Sequence, residues 1–282
     1  MKFLLPFLVC VASALAAAVP PTPTTLPGAE TFAYREGEAS MLLHVFKPVG
    51  WKATDRRPAL VFFFGGGWNT GTPEKSAGWA RFAAKNGMVG IAPDYRTRQR
   101  FNTSPLESVA DSRAALRWVQ DHAAELGIDV ARIAVGGNSA GGHVALWTAI
   151  ATTPPGSSPR EAPLTQPAAL LLFSAVSDTS MLAGYTPRRF GEHATALSPL
   201  HQLDSKMPPT LAVHGDADKT VPFSQAVALG EKYQQTNNSY ELVVVPGGSH
   251  AFSTDLPEWR TKAQSMARDF LARHGLIGTP AR

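Results

Sequence analysis

The stretch Gly137-Asn138-Ser139-Ala140-Gly141 decides how this chain is expected to fold. It matches the pattern G-x-S-x-G and stands between a strand-like run, Ile133–Gly136, and a helix-like segment that starts at Ala140. A sharp strand-to-helix turn needs small residues two positions before and two positions after the serine, because the backbone is pinched there. Such a turn holds the serine hydroxyl above a sheet edge, at a helix N-terminus whose dipole favours developing negative charge. The motif therefore predicts a chemically active serine on an α/β scaffold.

Apolar strand-like runs alternate with helix-period segments on both sides of this motif. Several runs are apolar throughout, such as Leu60-Val61-Phe62-Phe63-Phe64, which is typical of a parallel sheet covered on both faces. Strands are predicted at Thr31–Tyr34, Met41–Phe46, Ala59–Phe64, Met88–Ala92, Ile133–Gly136, Ala168–Phe173, Thr210–His214 and Leu242–Val245. Helices are predicted at Ala77–Asn86, Pro105–Leu126, Ala140–Ala151, Ser224–Gln235 and Pro257–Arg273. Without an internal repeat, residues 29–282 are expected to form one α/β domain, with an irregular stretch from Val176 to Pro208.

The N-terminal residues have a composition of their own. A short positive start, Met1-Lys2, precedes the apolar run Phe3–Val11 and the small-residue ending Ala12-Ser13-Ala14-Leu15-Ala16, the layout of a secretory signal peptide. We expect residues 1–16 to be this signal, with cleavage between positions 16 and 18, followed by an extended Pro/Thr-rich lead at 17–28. The apolar run is too short to serve as a stable membrane anchor. The protein is therefore predicted to be secreted or periplasmic.

Composition excludes several classes of protein and site. The single cysteine, Cys10, would leave with the signal, so the mature chain would have neither disulfides nor a thiol nucleophile. The 282 residues include 26 Lys and Arg against 22 Asp and Glu, and this small, dispersed excess predicts no nucleic-acid partner. The densest basic run is Arg96, Arg98 and Arg100. Histidines and carboxylates lack metal-ligand spacing and the glycine motifs lack the residues of a phosphate loop, so neither a metal nor another cofactor is expected.

With its flanking strand and helix, the serine motif resembles that of the α/β-hydrolase superfamily, and the resemblance runs from about residue 30 to the C-terminus. It implies the α/β-hydrolase fold, a mostly parallel eight-stranded sheet with helices on both faces, and Ser139 as the nucleophile. The segment Phe64-Gly65-Gly66-Gly67-Trp68 resembles the HGGGW oxyanion loop of the esterase branch related to hormone-sensitive lipase. The resemblance implies an oxyanion hole made by the backbone N–H groups of Gly66, Gly67 and Ala140. Phe64 stands where that branch usually has His, which leaves the packing beneath the loop undetermined.

Two further segments resemble the acid and base loops of the same superfamily. The segment His214-Gly215-Asp216-Ala217-Asp218-Lys219-Thr220-Val221-Pro222 resembles H-G-x-x-D-x-x-V-P, which implies Asp218 as the acid. Asp216 is the rival within the loop, and Asp178 after the sixth strand is a more distant one. The loop Pro246-Gly247-Gly248-Ser249-His250 implies His250 as the general base. The order Ser139, Asp218, His250 matches the Ser…Asp…His order of this fold, so the resemblance implies a serine ester hydrolase.

The substrate is predicted from a resemblance at family level. The segments G-G-G-W, Pro93-Asp94-Tyr95-Arg96, G-N-S-A-G-G and Ser198-Pro199-Leu200-His201 together resemble small exported bacterial esterases that deacetylate xylan or release ferulate. This implies short acyl esters of small molecules or polysaccharides, and the Val176–Pro208 stretch lacks the apolar helical pattern of a lipase lid. Trp68 and Tyr185 are candidates for contact with the sugar or acyl group, and either could instead belong to the core.

Other histidines and other functions remain open at this point. His143 is expected to be packed or capped, whereas His193 and His201 could line the cleft. A feruloyl or aryl esterase is the alternative substrate class. A serine peptidase of the prolyl-oligopeptidase kind shares the order of the three residues, although the chain has no room for a propeller domain. A binding-only relative would be expected to lose one of the three residues, and none is missing. The oligomeric state is not predicted.

Overall fold

A computed structural model describes residues 22–37, 40–156, 163–180, 188–203 and 206–278. The predicted signal segment, residues 17–21 of the lead, and Tyr185 lie outside these ranges. Among the described residues, no helix is both long enough and apolar enough to cross a membrane.

Eight strands form one mixed sheet in the described part of the chain. They are β1 (Glu30–Arg35), β2 (Met41–Phe46), β3 (Arg57–Phe63), β4 (Val89–Pro93), β5 (Ile128–Asn138), β6 (Ala169–Phe173), β7 (Thr210–Gly215) and β8 (Tyr240–Val245). Their order across the sheet is β1-β2-β4-β3-β5-β6-β7-β8. Strand β2 runs antiparallel to both of its neighbours, and the pairs from β4 to β8 are all parallel. The predicted fold class and all eight predicted strands are confirmed.

Strand β5 departs most from its predicted bounds, since it begins at Ile128 rather than at Ile133. Arg57 of β3 pairs with Ile128, beyond an irregularity in the register of the two strands. Apolar runs do not predict this extension, because Asp129 and Arg132 interrupt the apolar pattern at the start of β5.

In the described part of the chain, eight α-helices connect or flank these strands. They are α1 (Ala77–Lys85), α2 (Arg98–Phe101), α3 (Pro105–Asp121), α4 (Ala140–Ala149), α5 (Pro199–Gln202), α6 (Ser224–Gln235), α7 (Phe252–Asp255) and α8 (Pro257–Arg273). A capping box starts α3, in which Ser104 Oγ accepts from the N–H of Leu106 and Glu107 accepts from the N–H of Ser104. The five long helices were predicted. The one-turn helices α2, α5 and α7 were not, because a single turn is too short to show a helical period.

The alternation of side chains along β3 shows that both faces of the sheet are covered. Val61 and Phe63 belong to a core cluster with residues of α3, α4 and α6. Leu60 and Phe62 point the other way, into a second cluster with residues of α1 and α8. This two-sided burial explains why the central strands are apolar throughout.

Two buried carboxylates fix the loop that follows β4. Asp111 of α3 accepts from the Arg96 guanidinium at 2.7 Å and Asp94 accepts from that of Arg100 at 2.6 Å. These ion pairs hold the chain on either side of Tyr95, whose ring lies in the core. Two of the three arginines in the densest basic run therefore neutralise carboxylates of the chain itself.

Candidate active site

Ser139 lies on the turn between β5 and α4, in a backbone conformation that residues other than glycine rarely adopt. Its φ is 55° and its ψ is −121°, and its N–H donates to the Phe173 carbonyl at 2.9 Å. A Cβ atom on Gly137 would lie 2.2 Å from the Gly141 carbonyl, and one on Gly141 would lie 2.3 Å from the Phe63 carbonyl. The glycines two positions before and after the serine are therefore required by the close approach of backbone segments.

The structure brings Ser139, His250 and Asp218 into one hydrogen-bonded chain. His250 Nε2 lies 3.0 Å from Ser139 Oγ, and His250 Nδ1 lies 2.8 Å from Asp218 Oδ2. The three residues follow β5, β8 and β7, and the carboxyl ends of these parallel strands meet at one edge of the sheet. Because a carboxylate only accepts hydrogen bonds, Nδ1 carries the proton and Nε2 is free to accept the serine hydroxyl proton.

Asp218 is buried and accepts several hydrogen bonds. Oδ1 accepts from the N–H groups of Thr220 and Val221, at 2.8 and 2.9 Å. Oδ2 accepts from His250 and lies 3.3 Å from Nε2 of the buried His214, which also donates to the Val221 carbonyl. Burial by itself raises the pKa of Asp218, but the hydrogen bonds from His214, His250 and Val221 outweigh it and hold this pKa well below its usual range. Asp218 is therefore ionised at neutral pH.

The two rival aspartates occupy other environments. Asp216 is exposed and accepts from the Gly247 N–H at 2.7 Å. Asp178 accepts from the Ser198 hydroxyl at 3.0 Å and from the Ser180 N–H at 2.8 Å. The structure thus places Asp218, rather than either rival, against His250.

The predicted oxyanion loop follows β3 and faces Ser139. Gly66, Gly67 and Ser139 line the same cavity. Among the described residues, none accepts a hydrogen bond from the N–H of Gly66, Gly67 or Ala140. These three donors are consequently available to a ligand atom beside the serine.

An aromatic pair fills the space beneath this loop, where the sequence left the packing undetermined. The Phe64 ring stacks on the Tyr95 ring, with centroids 4.1 Å apart and planes inclined by 10°. The Tyr95 hydroxyl donates to the Phe64 carbonyl at 2.8 Å. Phe64 therefore replaces the usual His by apolar packing, and the ion pairs around Tyr95 support the loop from behind.

A cavity of about 640 Å³ opens beside Ser139 and His250. One part of its lining is aromatic, and the Trp79 ring stacks there on Phe62 and on Phe173, with centroids 5.0 and 4.5 Å apart. The other aromatic side chains of the lining are Phe64 and Phe252, and its polar side chains away from Ser139 and His250 are Lys75, Thr220, Ser253, Thr254, Arg260 and Gln264. This cavity has the size and the mixed lining of a site for a small ligand.

The structure corrects the possible contact of Trp68 with substrate. The Trp68 side chain is only 1% exposed and does not line the cavity. Its ring packs edge-on against His143 and Phe190, with centroids 5.1 and 4.7 Å apart. Of the two readings that the sequence left open, the structure places Trp68 in the core. Tyr185 lies outside the described residues and stays a prediction.

The remaining histidines lie apart from the cavity. His143 is fully buried, as predicted, and its Nε2 donates to the Leu197 carbonyl at 2.8 Å. His201 Nδ1 lies 2.9 Å from the Ser198 hydroxyl, and His193 lies near Glu192; neither lines the cavity. His214 is the residue that the sequence analysis missed, although it stands in the quoted acid loop four residues before Asp218. Among the described residues, no three His, Cys, Asp or Glu side chains are grouped so that they could hold a metal ion.

Comparison with known proteins agrees with this fold. A model of the alpha/beta hydrolase fold matches residues 60–254, so the chain belongs to the α/β hydrolase fold family. The carboxylesterase NlhH of Mycobacterium tuberculosis is 42% identical over 91 residues, which cover 32% of this chain and 28% of NlhH. The "Probable carboxylic ester hydrolase LipM" of the same organism is 28% identical over 218 residues, or 71% of this chain. The chain spans about half of the length of LipM, 50%.

Solved structures match over nearly the whole chain. The native esterase Est2 of Thermogutta terrifontis is 35% identical, with a TM-score of 0.83 and coverage of 91% of this chain and 96% of Est2. Structures of Est2 with bound propionate or butyrate each have a TM-score of 0.82, with 35% and 36% identity and coverage of 90% of this chain and 97% of Est2. The relatives by sequence and by structure are thus named as esterases.

The burial of His143 has a consequence for stability against acid. Its pKa is lowered from 6.5 to about 4, because burial penalises the charged ring and the hydrogen bond to Leu197 offsets only part of this. Between those two pH values the unfolded chain takes up a proton that the folded protein does not. The free energy of unfolding therefore falls as the pH falls, by up to about 3 kcal/mol for this group.

We expect His143→Gln, which keeps a donor for Leu197, to flatten this dependence. Urea unfolding of both proteins between pH 7 and pH 4 checks it: the wild type should lose about 3 kcal/mol more than the variant over that range. If the free energy of unfolding falls equally with pH in the two proteins, the assignment of His143 as a buried neutral imidazole is contradicted.

Proposed function

We propose that this protein is a serine carboxylic ester hydrolase. The observation that carries the proposal is the chain of hydrogen bonds from Ser139 Oγ through His250 to the ionised Asp218, at 3.0 and 2.8 Å. This is the arrangement in which an imidazole takes the proton of a serine hydroxyl while a carboxylate orients and stabilises the ring. The esterase relatives in both comparisons support the same activity.

The reaction proceeds in two halves at this site. In the first, Ser139 Oγ attacks the ester carbonyl carbon as its proton passes to His250 Nε2, and the N–H groups of Gly66, Gly67 and Ala140 hold the negative oxygen. Each such donor stabilises the transition state by about 3–4 kcal/mol. His250 then gives its proton to the leaving alcohol, and Ser139 keeps the acyl group. In the second half, His250 takes a proton from water as the water oxygen attacks the acyl carbon. His250 then returns this proton to Ser139 Oγ as the bond between Oγ and the acyl carbon breaks and the acid leaves.

We propose short acyl esters as the substrates, linked to carbohydrate as in acetylated xylan. The propionate and butyrate bound to Est2 support a short acyl group. The cavity of about 640 Å³ is consistent with a small ester. Feruloyl or aryl esters are the second candidate, and the stacked wall of Phe62, Trp79 and Phe173 is the observation that favours them.

A substrate series tests the activity and the acyl preference together. On 4-nitrophenyl esters from acetate to dodecanoate, we expect kcat/KM to be highest at two to four carbons and to fall with longer chains, in line with the propionate and butyrate bound to Est2. Ser139→Ala should reduce hydrolysis of the acetate by at least about 10⁴-fold. Acetate release from acetylated xylan and ferulate release from methyl ferulate distinguish the two substrate classes.

Three outcomes would contradict this proposal. A folded Ser139→Ala variant with wild-type activity would remove Ser139 from the mechanism, and a preference for long chains would overturn the short-acyl proposal. Cleavage of a proline-containing peptide without cleavage of any ester would favour the prolyl-oligopeptidase alternative.

We also propose that residues 1–16 direct the protein out of the cytoplasm and are removed between positions 16 and 18. The support is the sequence layout alone: a lysine, an apolar run and a small-residue ending. Intact-mass measurement of the exported protein should show a chain that begins after Ala16 or Ala18. A chain that retains Met1 in the cytoplasmic fraction would contradict it.

A further inference from the structure

The charged side chains that line the active-site cavity are of one sign. Lys75 and Arg260 line it together with the imidazole of His250, and no aspartate or glutamate is among its described lining residues. Lys75 ends a turn of 3-10 helix, Pro73–Lys75, just before α1, and Arg260 lies in the first turn of α8. Two separate elements of the chain thus bring a cation to the same cavity.

Neither cation is neutralised by a carboxylate in the described part of the chain. Arg260 Nε donates to the Ser253 carbonyl at 3.2 Å, which fixes the side chain without compensating its charge. The acidic residues nearest to the two cations in sequence lie outside the lining: Glu74 accepts from the Thr72 hydroxyl, and Glu258 is an exposed residue in the first turn of α8. Asp255 also lies outside the lining and accepts from the Ser249 hydroxyl. The buried carboxylate of Asp218 already accepts hydrogen bonds from His250 and from the Thr220 N–H of its own loop. Both cations consequently remain available to a negative ligand.

The remaining lining strengthens the effect of these charges. Aromatic side chains form one wall, and Gln264, one helical turn after Arg260 on α8, adds a polar group to the other part. Cavities with low-dielectric walls and charges of one sign concentrate field lines and attract ligands of the opposite sign. The planar fork of an arginine also suits a carboxylate, to which it can donate two hydrogen bonds.

We propose that Lys75 and Arg260 make this site selective for esters that carry a carboxylate besides the ester group. This inference rests on the proposed esterase function and names a substrate class within it. The ester carbonyl lies at Ser139 and the N–H groups of the oxyanion loop, and the substrate carboxylate binds Lys75 and Arg260. The reacting atoms are those of the ester, so the two cations are binding residues and not catalytic ones.

Two pairs of esters that differ only in charge test the proposal. Ethyl hydrogen succinate and ethyl succinamate carry the carboxylate or its neutral amide in the acyl part, whereas 4-acetoxybenzoate and 4-acetoxybenzamide carry it in the alcohol part. The value measured is the ratio of kcat/KM for the acid to that for the amide, each divided by the rate of hydroxide-catalysed hydrolysis. We expect this ratio to be about tenfold in at least one pair, mainly through KM, and to fall in 0.5 M salt because salt screens exposed charges.

Variants assign the preference to the two residues. Lys75→Gln and Arg260→Gln should each lower the ratio about threefold, and the double variant should bring it close to one. Lys85→Gln removes an exposed charge from the end of α1, away from the lining, and should leave the ratio unchanged. Thermal unfolding midpoints confirm that the variants are folded, as expected for exposed side chains.

The outcomes separate this inference from the proposed function. A ratio at or below one in both pairs, or a ratio that the double variant does not change, overturns the charge selectivity while esterase activity stands. If neither these esters nor 4-nitrophenyl acetate is hydrolysed, the proposed function fails and the inference fails with it.

Discussion

The left-handed backbone at Ser139 is the constraint on which the rest of the site depends. A non-glycine residue at φ 55° and ψ −121° costs energy that the surroundings must offset. Here packing offsets this cost. The turn follows β5 at the centre of the sheet and precedes the buried helix α4, and the Ser139 N–H donates to the carbonyl of Phe173 at the end of β6. As a result, Ser139 lines the cavity beside the N–H of Ala140, from which no described residue accepts a hydrogen bond. Other parts of the site are arranged around this fixed point.

The parallel strands supply the partners of Ser139 at the same edge. His250 and Asp218 come from the loops after neighbouring strands, so the distances between them are set by strand spacing and loop shape rather than by proximity in sequence. Asp218 is held on three sides, by two N–H groups of its own loop, by His250 and by His214. A carboxylate that is ionised and immobile in this way keeps the imidazole oriented. The oxyanion loop has a comparable support, since Phe64 and Tyr95 form a stacked pair behind it.

Much of this could be predicted from local signals in the sequence. The apolar runs located eight strands, and the G-x-S-x-G turn located Ser139, because both depend on residues adjacent in the chain. The choice of Asp218 over Asp216 came from resemblance alone, and only the structure shows that Asp216 instead accepts from Gly247. Trp68 had equal claims to the core and to the cavity, since an aromatic residue after a glycine run fits both.

The features that sequence reasoning missed depend on contacts between distant segments. His214 is a buried residue of β7, and it contacts Asp218 because the acid loop turns back toward the end of that strand. Nothing in the composition shows that Lys75 and Arg260, 185 positions apart in sequence, face one cavity. The small excess of positive charge, from which the sequence predicts no nucleic-acid partner, carries no information on where individual cations lie. Tertiary packing decides that.

The central claim is that Ser139 is a nucleophile activated through His250 and Asp218. The most direct test of this claim is the phosphorylation of Ser139 by paraoxon. The release of 4-nitrophenol gives the rate, and peptide mass mapping gives the site. We predict a single label on Ser139, slowed by about 10⁴-fold in Asp218→Asn and by less than about twofold in Asp216→Asn. Labelling of another residue, or equal slowing by the two substitutions, would contradict the account.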